Sequence, residues 1–261
     1  MERQKMKRAL WIGLGLAAST LGAQAAEIKV IRFGVEAAYP PFEYKDAKGA
    51  LTGFDVDLGN ALCAQLKAKC EWVETPFDGL IPALQAKKFD VINSAISITE
   101  KRKQAVNFTV PLYQVPTRLI AKSGTALAPT VAALKGKTVG VLRGSIQEDF
   151  ANQRLKPNGV DVQSYEDQNL AYADLVAQRI QGTLVDATSG QEGFLKKPEG
   201  KGYTFAGPAV KDTLLGAGIG MAIRKEDTQL QKALNDAFMK VKANGTYTKI
   251  MKKYFDFDIS I

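Results

Sequence analysis

Apolar and polar positions along this chain switch repeatedly between two periods. The segments 28–35, 70–74 and 89–92 are short and apolar, rich in Val, Ile and Phe, and read as strands. Between the first two, residues 55–66 put Leu58, Leu62 and Leu66 on one face of a helix. Pro40-Pro41-Phe42 forces a loop, and Asp46-Ala47-Lys48-Gly49 reads as the turn of a small hairpin. Asp78 is expected to cap a short helix that tolerates Pro82 in its first turn. After the third strand comes a turn of small polar residues, Asn93 to Ser97. Thr99 then serves as an N-cap, which places Arg102 third in the helix. The order β-α-β-α-β predicts an open, mostly parallel sheet with helices on both faces.

A second unit starts near Thr117. It has a strand at 137–142 and a helix opening at Arg143-Gly144-Ser145-Ile146-Gln147. The segments 160–165, 170–178 and 182–187 continue the alternation. The tail is amphipathic helix over 227–244 and again to 254. Two extended passages, 113–117 and 212–220, stand apart, and Pro111 and Pro116 exclude helix from the first. These features predict a chain that leaves one lobe, builds a second and returns. The tail helices would complete the first lobe, and the two passages would form a hinge.

The first twenty-five residues change the domain count. A basic start (Arg3, Lys5, Lys7, Arg8) precedes an apolar run and Ala23-Gln24-Ala25, the pattern of a cleaved secretory signal with the mature chain starting near Ala26. No later segment is apolar enough over sufficient length to span a bilayer, so a protein free in the periplasm is expected. The net charge of +8 loses four basic residues and one acidic with that signal, leaving +5. The excess is scattered, without basic runs interleaved with aromatics, which argues against nucleic acid as a partner.

Histidine is absent. That excludes Ser-His-Asp and Cys-His nucleophile systems and His-ligated metals. The two cysteines, Cys63 and Cys70, would meet an oxidising compartment, which favours a disulfide over two free thiols. Gly136-Lys137-Thr138 is not a phosphate loop, because Val131 stands where the first glycine is required and a strand follows. The stretch Asn93–Arg102 is the clearest chemical signal. Hydroxyls, backbone amides at a helix start and a planar guanidinium together suit a carboxylate. Gly144-Ser145 before a helix is a second, weaker anion site.

Four ordered runs carry a family likeness: Ala38-Tyr39-Pro40-Pro41-Phe42-Glu43, Gly53-Phe54-Asp55-Val56-Asp57-Leu58, Phe77-Asp78-Gly79-Leu80-Ile81-Pro82 and Ser97-Ile98-Thr99-Glu100-Lys101-Arg102. With Glu192-Gly193-Phe194-Leu195 and Lys253-Tyr254-Phe255-Asp256-Phe257-Asp258 they span the mature chain. The set resembles the periplasmic polar amino-acid-binding proteins of ABC importers (solute-binding protein family 3), in particular those for lysine/arginine/ornithine and for histidine.

The resemblance implies a type II, two-lobed periplasmic binding protein fold of the Venus-flytrap kind, with a two-strand hinge. It implies a signal at 1–25, a first lobe over 26–114 completed by 214–261, and a second lobe over 115–213. It places a basic amino acid between the lobes. Arg102 would hold the α-carboxylate, with backbone amides near Ala95 and Ile146. Asp186 would take the α-ammonium, with Ser97 and Ser94 assisting. Tyr39 and Phe77 would sandwich the side chain, and Glu36, with Gln147 close by, would meet its distal cation. Cys63 and Cys70 fall where the family forms a disulfide. The implied partners are the amino acid and an inner-membrane ABC permease, with the protein a monomer, no cofactor and no metal. Ala95 and Ile146 stand where close relatives carry hydroxyls, and Glu36 where a shorter Asp is common. Arginine, ornithine, lysine and histidine are not ranked by these residues. An opine or neutral amino-acid receptor, a sensor subunit and a periplasmic dehydratase remain the competing readings.

Overall fold

The computed structural model describes residues 28–261; the expected signal at 1–25 lies outside the described residues. The chain begins with β1 (Val30–Val35), a small meander of β2 (Ala38–Tyr39), β3 (Glu43–Lys45) and β4 (Leu51–Thr52), helix α1 (Phe54–Leu66) and β5 (Lys69–Glu74). A 3-10 turn over Phe77–Gly79 leads into α2 (Leu80–Gln85), β6 (Val91–Ile92), α3 (Glu100–Lys103) and β7 (Asn107–Phe108). The next stretch contains β8 (Thr117–Lys122), α4 (Val131–Leu134), β9 (Thr138–Leu142) and α5 (Ile146–Phe150). It continues through β10 (Asp161–Tyr165), α6 (Gln168–Val176), β11 (Gly182–Asp186), α7 (Ala187–Gly190) and β12 (Tyr203–Ala206). The chain ends with β13 (Ala222–Ile223), α8 (Thr228–Ala243) and α9 (Thr246–Tyr254).

These elements build two five-stranded sheets, ordered β5-β1-β6-β13-β7 and β10-β9-β11-β8-β12, one in each lobe. In each sheet a single strand runs against the other four: β13 in the first and β8 in the second. Both follow directly on the extended passages between lobes. A parallel neighbour needs a helical crossover, whereas these strands enter straight from the hinge and so run backwards. The other strands next to the cleft, β1, β6, β9 and β11, all end at it. Glu36, Asn93, Gly144 and Asp186 lie at or just beyond those ends, at the carboxyl edge where open α/β sheets bind ligands.

The passages themselves pair with each other. Ile219 exchanges backbone hydrogen bonds with Leu112 and Tyr113, and the Val210 N–H donates to the Thr117 carbonyl. The tail adds a third segment, since the Gln114 N–H donates to the Ile259 carbonyl at 2.9 Å.

The tail also completes the core of the first lobe. Phe54 meets Tyr113, Tyr247 and Phe255 edge-on at centroid distances of 5.2–5.9 Å. Leu58 and Leu62 are buried beside it, while Leu66 is only half-buried. Gly53 precedes this helix at φ 132°, where a Cβ would collide with the Phe42 carbonyl; only glycine lets α1 start this close to the meander. Cys63 and Cys70 form a disulfide that ties α1 to β5. Thr99 caps α3 as expected, accepting from the Arg102 N–H. Asp78 does not cap: α2 starts after Gly79, without a side-chain cap. The 3-10 turn carries the chain past Asp78 before the helix begins.

Candidate functional site

Glu36 follows β1 and is 5% exposed. Its N–H donates to the Ser94 hydroxyl at 2.9 Å, which locks the end of β1 against the turn after β6. In that turn Ala95 takes φ +43°, an uncommon conformation for a residue with a Cβ. The contact that holds it there is its N–H, which donates to Asp55 Oδ2 at 2.8 Å. Asn93 adds a bond from Nδ2 to the Asp55 carbonyl at 2.7 Å.

Arg102 is buried. Nη1 donates to the Ser97 carbonyl and Nη2 to the Gly144 carbonyl, both at 2.9 Å, and the guanidinium carbon lies 5.5 Å from the Phe77 ring centroid. Two carbonyls and an aromatic face orient it, but no carboxylate pairs with it among the described residues. Burial lowers its pKa to about 10.

The second lobe supplies the other wall. Ser145 caps α5 by accepting from the Glu148 N–H. Gln147 Nε2 donates to Asp186 Oδ1 at 2.8 Å and to Thr117 Oγ1 at 3.0 Å. Asp186 also accepts from the Tyr39 hydroxyl, at Oδ2 and 3.1 Å. Although Asp186 precedes α7, its side chain makes no cap; the carboxylate is turned into the cleft. Burial raises its pKa to about 7 in spite of these donors.

A narrow cavity of about 10 Å³ lies between the walls. Glu36, Tyr39, Phe77, Ala95, Ser97 and Arg102 line it from the first lobe, and Leu142, Ser145, Ile146, Gln147 and Asp186 from the second. Neither carboxyl oxygen of Glu36 has a hydrogen-bond partner among the described residues. Burial, with Asp167 and Asp78 adding repulsion, pushes its pKa up to about 8. The lobes meet around this cavity. Besides Tyr39–Asp186 and Arg102–Gly144, Lys101 pairs with Asp149 at 2.6 Å and Arg143 faces Asp78 at 3.8 Å on the rim. A Cβ on Gly144 would lie 2.9 Å from the Asp78 Cα, so backbone meets backbone there.

The structure brings nine of the ten expected contact residues to one cavity; the exception is Ser94. Its hydroxyl lies behind the wall, accepting from the Glu36 N–H and donating to Glu43 Oε1 at 3.0 Å. Ala95 lines the cavity, but its N–H is committed to Asp55 and so is not a free donor for a carboxylate. Leu142 and Ser145 join the lining and were not among the expected contacts, though Gly144-Ser145 was legible as an anion-binding turn. Among the described residues no group of His, Cys, Asp and Glu is arranged to hold a metal ion.

Charge and shape therefore describe a closed cleft with one guanidinium and two carboxyls facing a small cavity. The sequence pattern of the bacterial extracellular solute-binding proteins, family 3, matches residues 31–257. The histidine-binding periplasmic protein of Salmonella typhimurium is 50% identical over 97% of this chain and 98% of its own. The lysine/arginine/ornithine-binding periplasmic protein of Escherichia coli is 46% identical over 99% of each chain. Among solved structures, an ancestral arginine-binding protein bound to arginine superposes with a TM-score of 0.82 at 34% identity, covering 88% of this chain and 99% of the other.

Proposed function

Since the chain belongs to the bacterial extracellular solute-binding proteins of family 3, we propose that it is a receptor for a basic amino acid, captured by closure of the two lobes. The observation that carries this reading is Glu36, buried at the cavity with both oxygens unpartnered. Glu36 and Asp186 against Arg102 leave the cavity one negative charge in excess. A basic amino acid brings one carboxylate and two cationic groups, so its charges match the three side chains one for one. A neutral amino acid would leave an ionised Glu36 buried alone, at a cost of several kcal/mol.

In this reading Arg102 holds the α-carboxylate through the N–H groups that the Ser97 and Gly144 carbonyls do not use. The first-turn amide of Ile146 assists there, while the Ser97 hydroxyl helps with the ammonium. Asp186 takes the α-ammonium, displacing or sharing the Tyr39 hydroxyl. Tyr39 and Phe77 flank the aliphatic stem, and Glu36 receives the distal cation, with Gln147 close by. Ligand binding would shift an open–closed equilibrium, and an inner-membrane ABC permease would read the closed form. We further assign a signal over 1–25, a first lobe over 26–114 and 214–261, a second lobe over 115–213, and a monomer working in the periplasm.

A thermal-shift screen of ligand-stripped mature protein tests the substrate class. At about 100-fold over Kd a ligand adds roughly 2.7 kcal/mol to the folded state. Stabilisation by arginine, lysine, ornithine or histidine, and not by glutamine or citrulline, is the expected result. Stabilisation by neutral amino acids alone would reject it.

A further inference from the structure

Two carboxyl groups lie behind the cavity wall, out of reach of any ligand in the cleft. Glu43, which opens β3, is 0% exposed, and Asp55, second in α1, is 1% exposed. They lie side by side: the Asp55 N–H donates to the carbonyl of Phe42, the residue before Glu43, and the adjacent Ser94 and Ala95 each donate to one of the two carboxyls. Asp55 is well supplied with donors: the Ala95 N–H on Oδ2 at 2.8 Å and the Tyr113 hydroxyl on Oδ1 at 2.9 Å. Among the described residues Glu43 receives only the Ser94 hydroxyl, on Oε1, and its Oε2 has no hydrogen-bond donor. No lysine or arginine pairs with either group among the described residues.

Two neighbouring carboxylates, buried without a cation, cannot both stay ionised. One proton must reside on the pair, and the donor count decides where. Asp55 already has a donor on each oxygen, which favours its charged form. Glu43 has one oxygen that nothing serves, and a proton there satisfies it while giving Asp55 a further donor. Burial acts in the same direction, raising Glu43 far above the carboxylate range and Asp55 only to about 6.

We propose that Glu43 is a neutral carboxylic acid donating its Oε2 proton to Asp55, and that this acid–carboxylate pair is a positioning device joining the binding cavity to the hinge. On one side the chain of contacts runs from the Glu36 N–H through Ser94 to Glu43. On the other it runs from Asp55 to the Ala95 turn and to Tyr113. Tyr113 belongs to the first crossing, pairs with Ile219 of the second and stacks on Phe42 at 5.2 Å. The pair therefore holds the left-handed Ala95 and the Glu36 backbone in register with the segment about which the lobes move.

Infrared spectroscopy of the mature chain at neutral pH tests the proton directly. The difference between wild type and Glu43→Gln should contain the carbonyl stretch of one protonated carboxylic acid. Loss of carboxylate bands instead would overturn the proposal. Arginine affinity supplies the positioning arm, on variants checked for cooperative unfolding. Glu43→Ala and Asp55→Asn should each weaken binding by about tenfold or more, because a buried donor or acceptor is left without its partner. Glu43→Gln should rescue most of the loss, since an amide can donate to Asp55 and accept from Ser94 as the acid does. Equal damage from Glu43→Gln and Glu43→Ala would overturn it. The affinity arm rests on the basic amino-acid reading. Wild type that binds no arginine would reject that reading, and the infrared arm would still decide this one.

Discussion

Replacing Glu36 by glutamine removes one charge and almost no volume. Closing the lobes takes this carboxyl from an ordinary value of 4.5 to about 8, chiefly by burial. Each pH unit is worth about 1.4 kcal/mol, so at pH 7 closure over an unpaired Glu36, which must take up a proton, costs about 3 kcal/mol. A guanidinium or ammonium seated against the carboxylate cancels the cost. In Glu36→Gln the ligand's cation is itself buried without a counter-charge, which is a penalty of similar size. The variant should therefore bind arginine about a hundredfold more weakly, from roughly 3 kcal/mol at 1.4 kcal/mol per decade. Glutamine, which carries no distal charge, should bind no worse than to wild type. Isothermal titration with both amino acids on both proteins reads the two numbers. Unchanged arginine affinity would refute the reasoning, because Asp78 and Asp167, the other carboxylates near Glu36, do not line the cavity.

Three further outcomes are expected. Arg102→Ala should weaken every amino acid tested, basic or neutral, by at least about tenfold, since it removes the partner of their shared carboxylate; thermal shifts that persist for any of them at the same concentrations would contradict its role. Acidification should compact the protein in the absence of amino acid. In the closed form burial holds Glu36 at about 8 and Asp186 at about 7, against ordinary values of 4.5 and 3.8, so closure is penalised as pH rises through the higher pair and is unpenalised below the lower. Small-angle scattering between pH 8 and pH 5 should show the radius of gyration fall with pH, and a flat profile would count against the assignment. Finally, Lys101→Glu or Asp149→Lys alone should speed ligand dissociation about two- to fivefold, and the double swap should restore it, as befits an exposed pair that exists only between closed lobes; additive losses in stopped-flow dissociation would mean that the pair does not act across the cleft.

The parts of this fold legible in the sequence are those determined locally. Thr99 and Arg102 lie three residues apart, so the cap and the position of the guanidinium follow from one turn of helix. The crossings were readable from prolines and glycines, and with them the return of the tail to the first lobe. The direction of β8 and β13 was less evident, because it depends on where each strand enters its sheet and not on any residue within it. At the site, the Tyr39–Asp186 contact spans 147 residues and was expected only through family likeness. Ser94 and Ala95 mark the limit of such likeness. The Ser94 hydroxyl and the Ala95 N–H both turn to partners behind the wall, Glu43 and Asp55, which lie 51 and 40 residues away. Nothing in the local pattern of Asn93 to Ser97 says that a second pair of carboxyls stands behind it.

A crystal structure of the mature protein with arginine tests the central claim most directly. The account predicts the α-carboxylate on Arg102, the α-ammonium on Asp186 and the guanidinium between Tyr39 and Phe77 with its tip on Glu36. Arginine bound in the reverse orientation, or outside the cavity between the lobes, would contradict it.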